Sequence, residues 1–235
     1  MNTFILDAVA LPREPANWFL NNVNKYISEN YARSSSHRST CSLEQRNNVY
    51  LLADQPIAFD VPGDYVAIEW DEGRIARVMA SVLEHHHADR TLHVYDDLGN
   101  NHSQQYHNAA RTQLERNVRR SGSSNWLIHD SIRSESLSTD LPPTIAFVHL
   151  DCAFGDLPQL HSQSVLRCLN AVYPRMSPGA IGVLMDYHDP ERTIGGSDRN
   201  PGVKMACDLF FETKPECIQI LYGGRYSQAF FRKVW

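Results

Sequence analysis

Four acidic residues in this 235-residue chain follow short runs that favour β-structure. Glu69 closes DYVAIE, Asp96 follows TLHVY, Asp151 follows TIAFVHL, and Asp186 follows AIGVLM. An acid after a strand can cap the next helix. It can also face a ligand, because open parallel sheets bind ligands outside the carboxyl ends of their strands. One such acid is ordinary; the repetition at all four strands favours a site. Asp96, at the end of the second strand, suits the two hydroxyls of a ribose. Asp130 follows WLIH and is placed to meet an adenine amino group. Asp151 and Asp186 end strands that read as neighbours. A carboxylate pair there suits a hard divalent cation such as Mg²⁺, or a general base with its partner. His188 follows closely in DYHD and is the alternative base for a substrate hydroxyl.

The elements that must hold these residues alternate in type. Strands are predicted at 64–69, 91–95, 126–129, 144–150 and 180–185, with two more at 218–222 and 229–234. Helices are predicted at 16–31, 73–85, 108–120, 162–173 and 202–213. The apolar spacing of Ile75, Val78, Met79, Val82 and Leu83 marks one such helix. Met176-Ser177-Pro178-Gly179 reads as a turn, and Gly223-Gly224 as a tight turn between the last two strands. Alternating strands and helices predict an α/β fold with a mostly parallel sheet. The closing pair predicts an antiparallel C-terminal edge. Residues 1–60 read as an N-terminal helical extension, a lid or a dimer contact, and residues 61–235 as the main domain.

Composition narrows the partners. The formal net charge is -5, so no basic face announces nucleic acid. Arg111, Arg116, Arg119 and Arg120 read as a solvated helix face. No apolar run approaches the ~18 residues that a membrane-spanning helix needs. Five cysteines, none in a CxxC pair, predict reduced thiols and a cytoplasmic location. His85-His86-His87 cannot all face one ion from a helix, since adjacent residues point in different directions. A small-molecule substrate is expected, with neither nucleic acid nor membrane, and a homodimer stays open.

The turn after the first strand selects among nucleoside cofactors. A dinucleotide would call for G-x-G-x-x-G there, to seat its pyrophosphate. This chain has Glu69-Trp70-Asp71-Glu72-Gly73-Arg74, with one glycine and three acids. Such a turn repels phosphate. S-adenosylmethionine (SAM) carries no phosphate and is positively charged, so the acids are compatible with it.

Four blocks now carry a resemblance. They are TIAFVHLDC from Thr144, LNAVYPRMSPG from Leu169, VLMDY from Val183 and PGVKMACDLF from Pro201. Together they resemble the macrocin O-methyltransferase family, which includes the mycinamicin and novobiocin sugar O-methyltransferases. The VYDDLG run from Val94 looks like that family's ribose-binding block. The resemblance implies a Rossmann-like SAM methyltransferase fold and methyl transfer to a hydroxyl of a sugar or natural-product intermediate. It implies SAM contacts at Glu69 and Asp96, beside the Asp130 read from the third strand, and a Mg²⁺ held at Asp151 and Asp186. Where the family has an acid before the one matched by Asp186, this chain has Met185. Where it favours an acid two residues after Asp151, this chain has Ala153. Trp70 and Asp71 replace the family's Cys and first Gly. The alternative expectation is a SAM-fold protein without methyltransferase activity, acting as a scaffold partner or a repurposed enzyme.

Overall fold

The computed structural model describes residues 41–69, 73–96, 104–129, 137, 139–152, 157–193, 197–224 and 226–234. All belong to one compact unit, Thr40–Trp235. The expectations placed on residues 16–31, on Trp70 and Asp71, on Asp130 and on Ala153 lie outside the described residues. The side chain of Asp96 is likewise not described.

The elements run in chain order as α1 (Leu43–Ala58), β1 (Asp64–Glu69), α2 (Arg74–His85), β2 (Leu92–Asp96), α3 (Gln104–Arg119), β3 (Trp126–His129), β4 (Ile145–Leu150), α4 (Pro158–Val172), β5 (Met176–Met185), α5 (Pro201–Phe211), β6 (Gln219–Leu221) and β7 (Gln228–Arg232). The seven strands form one sheet in the order β3-β2-β1-β4-β5-β7-β6. The first five are mutually parallel. β7 runs antiparallel to β5 and to β6, which makes the predicted antiparallel edge.

Every residue of β4 is buried, as are Tyr65 to Glu69 of β1. Strands covered on both faces lose the alternation of a half-exposed sheet and become continuous apolar runs. On one face, Tyr65 packs against Phe147 with tilted rings, and its hydroxyl donates to the Ala53 carbonyl of α1. On the other, Phe231 meets Phe211 and Tyr173.

Two local expectations are corrected. Met176 to Gly179 belongs to β5 rather than to a turn. Ile145 pairs with Met176 and Phe147 with Ile181, so the surplus residues of β5 are taken up by an irregularity in the ladder. Hydrogen bonds from the Gly179 amide to the Lys233 carbonyl and from the Lys233 amide to the Ala180 carbonyl hold the segment against the end of β7. The link between β6 and β7 spans 222–227 and is longer than a tight turn. Its glycines serve α1 instead, because the Gly223 carbonyl accepts the Ser42 hydroxyl at 2.6 Å.

Candidate functional site at the carboxyl edge of the sheet

Because β1 to β5 are parallel, their carboxyl ends share one edge. From β1 the chain moves to β2 and β3 on one side, then to β4 and β5 on the other. The order therefore reverses between β1 and β4, and a crevice opens where it reverses. Glu69 and Asp96 are register partners at the ends of β1 and β2. Asp151 follows β4, and its amide extends the ladder by donating to the Ile68 carbonyl at 2.8 Å. Asp186 follows β5. Four of the six residues singled out by sequence thus stand along one rim, in the order Asp96, Glu69, Asp151, Asp186. Neighbouring strands lie ~4.8 Å apart, so the three steps from β2 to β5 cover roughly 14 Å.

Their environments differ. Glu69 is fully buried. Its Oε1 accepts the Ala76 amide at 2.8 Å, in the first turn of α2. A carboxylate satisfies free amides there and complements the helix dipole. Glu69 therefore fastens the turn that separates β1 from α2. Gly73 ends that turn with φ of 77°, and a Cβ on it would lie 3.0 Å from Leu114 of α3. Only glycine takes both the backbone angle and the contact readily. Asp151 is half-buried. Asp186 is buried, with φ of 57°. Burial raises its carboxyl pKa, against the opposing influence of the Arg199 cation and of the Asn200 side-chain amide that donates to Oδ2. Sequence reading did not single out Arg199 or Asn200. They lie in the polar 189–201 run, which carries no periodic signal.

His188 is half-buried, and its Nδ1 meets the Ser227 hydroxyl at 2.7 Å, just ahead of β7. His149 sits inside β4, fully buried between Ala67 and Val183 on the flanking strands. Neither ring nitrogen has a hydrogen-bond partner. Burial lowers its pKa to about 3, so the ring is neutral at physiological pH. Behind Asp151, Cys152 is buried, and its thiol pKa is raised by the hydrogen bond with Cys168 and by burial. None of the five cysteines is in a disulfide.

Metal binding finds little support here. Among the described residues, no group of three or more His, Cys, Asp or Glu could hold an ion. Met185 occupies the position where an additional acid would stand, and its sulfur accepts a hydrogen bond from Gln228. One Asp186 oxygen is engaged by Asn200. The residues present do not fit a Mg²⁺ site.

α1 contributes residues to the same edge that the sequence did not announce. Ser42 caps it through a capping box with Gln45, with Ser42 Oγ accepting the Gln45 amide at 3.0 Å and Gln45 Oε1 accepting the Ser42 amide at 2.9 Å. Gln45 Nε2 also donates to the Ser227 carbonyl at 3.3 Å. These bonds fix the first turn of α1 at the carboxyl edge. Arg46, next in that turn, is only 6% exposed, and its Nε and Nη2 have no hydrogen-bond partner.

No protein-family model and no curated protein sequence matches the chain. Solved structures do. The O-methyltransferase NovP superposes with a TM-score of 0.62 at 20% identity, over 82% of this chain and 81% of that one. The N-methyltransferase NodS from Bradyrhizobium japonicum, solved with S-adenosyl-L-homocysteine, gives 0.51 at 12% identity, over 90% and 98%. An rRNA methylase from Streptococcus thermophilus gives 0.51 at 12% identity, over 80% and 96%. Sheet order, parallel register and antiparallel edge therefore agree with these likenesses, and the chain has the Rossmann-like fold of SAM-dependent methyltransferases.

Proposed function

We propose that this chain is a SAM-dependent O-methyltransferase acting on a hydroxyl of a small polyhydroxylated molecule, a sugar or a natural-product intermediate. The observation that carries the reading is the rim. Acids end β2, β1, β4 and β5 across a strand-order reversal, and the turn after β1 lacks a phosphate-binding glycine pattern. The likeness to NovP and NodS supports it at the level of fold.

When bound, SAM supplies an electrophilic methyl group on a sulfonium. Asp96 is assigned to the ribose, Glu69 holds the turn beneath the nucleoside, and Asp130 is assigned to the adenine. Asp151, the more accessible of the second pair, takes the proton from the acceptor hydroxyl. Asp186, fixed by Asn200, orients that hydroxyl. His188 is the alternative base, its Nδ1 engaged by Ser227. Most of the rate comes from aligning oxygen and methyl carbon, since orientation is worth more than proton transfer in such a displacement.

The test is incubation with SAM and a panel of sugars and glycosides, read by mass spectrometry. A product heavier by one methyl group is expected. If SAM binds and no hydroxyl compound gains a methyl, the O-methyltransferase reading fails. A second reading, a SAM-fold scaffold without activity, is favoured by Met185 at the position of an acid and by its engagement with Gln228. Calorimetry separates the two, because the scaffold reading expects no SAM binding.

A further inference from the structure

A guanidinium stays charged in a protein interior. Burying it without a partner is expensive, and structures that do so normally supply an anion. Arg46 is buried, and two of its nitrogens have no hydrogen-bond partner. Its carrier helix is anchored at the carboxyl edge by Ser42 on Gly223 and by Gln45 on Ser227. Residues seven apart share a helix flank. The helix packs over β4 and β5, and on its β1 side the Tyr65 hydroxyl reaches the carbonyl of Ala53, seven residues after Arg46. Arg46 therefore leans toward β1 while Gln45 leans toward β7. Glu69 stands on that same face of β1, two alternations on from Tyr65. This places the cation beside the crevice between β1 and β4.

We infer that Arg46 receives the carboxylate of the amino-acid tail of SAM, pairing with it through the two nitrogens that lack partners. The inference rests on the SAM-binding reading given above. A planar guanidinium matches a carboxylate in a two-bond fork, and such charged pairs are stronger than neutral hydrogen bonds. The position also orders the ligand along the rim. The nucleoside lies over β2 and β1, the tail turns to Arg46 on the α1 side, and the sulfur is left facing Asp151 and Asp186. An acceptor carboxylate is the rival source of the same chemistry, and the experiment distinguishes it.

The probes are S-adenosylhomocysteine and 5′-methylthioadenosine, which shares the nucleoside and sulfur but lacks the amino-acid tail. Calorimetry should show that Arg46→Met weakens S-adenosylhomocysteine by roughly 10- to 100-fold. Binding of 5′-methylthioadenosine should be unchanged, and Arg46→Lys should recover part of the loss. Equal losses for both probes, or no loss for S-adenosylhomocysteine, would overturn the assignment; the latter is what an acceptor-carboxylate role gives. Should Arg46→Met not fold, the wild-type protein still decides. It must bind S-adenosylhomocysteine at least tenfold more tightly than its carboxylate-free amine analogue, and equal affinity refutes the inference. Wild-type protein that binds neither probe instead removes the SAM reading itself.

Discussion

Asp186 and His149 are two buried titratable groups, and opposite signs follow from their burial. The carboxyl of Asp186 is shifted upward, so folding favours its protonated form. The stability it lends is present at acid pH and is lost as pH rises through the folded-state value. Asp186→Asn should therefore melt higher than wild type at pH 8, with the gap closing toward pH 4, while kcat falls by roughly 10- to 100-fold as the orienting hydrogen bond to the acceptor weakens. Thermal melts at the two pH values and a turnover assay check both. His149 is shifted the other way, to about 3, so folding favours the neutral ring. That stability is present above the ordinary histidine value of ~6.5 and is lost as pH falls, by about 1.4 kcal/mol per pH unit. His149→Leu should move the acid-unfolding midpoint to lower pH; an unchanged midpoint would contradict this. At this scale the acids were legible, because each follows an apolar run. Arg46 was not. Its helix buries Gln45, Arg46 and Pro56 along with Val49, Leu52 and Ala53, so no clean apolar stripe marks the inward face.

The elements position the site through close contacts between helices. Gly202 opens α5 against α4, where an added Cβ would lie 2.2 Å from the Pro158 carbonyl oxygen and 2.5 Å from the His161 Cβ. Gly202→Ala should cost about 1–3 kcal/mol and lower Tm by roughly 2–12 °C. Asn200 stands at the N-terminal boundary of this helix, where its side chain makes no cap bond and holds Asp186 instead, so turnover of Gly202→Ala should fall too. Ser42→Ala removes both the α1 cap and the bond to Gly223. A loss of about 0.5–2 kcal/mol is expected in a denaturant titration, together with weaker S-adenosylhomocysteine binding through Arg46. Most elements were readable from period and composition: β4 as a continuous apolar run, α2 by its helical spacing. Met176 to Gly179 misled because proline and glycine signal a turn locally, whereas pairing with β4 and β7 keeps the segment in the sheet. That pairing is tertiary and leaves no mark on a short window.

Across the sheet, the order β3-β2-β1-β4-β5-β7-β6 reverses between β1 and β4 and brings the carboxyl ends of the five parallel strands to one edge. Parallel alternation made the sheet legible in the sequence, since strands linked by helices have one favoured way to wind. The contribution of α1 was hidden, because Ser42 and Gly223 are 181 residues apart and meet only in the fold. Among the described residues, no helix is long and apolar enough to cross a membrane. The most direct measurement is a crystal structure of the protein soaked with S-adenosylhomocysteine. Ribose density is expected at the carboxylate of Asp96, with the tail carboxylate at Arg46 and the sulfur facing Asp151 and Asp186. Ligand density away from the carboxyl ends of β1 and β2, or none at saturating concentration, would contradict this placement.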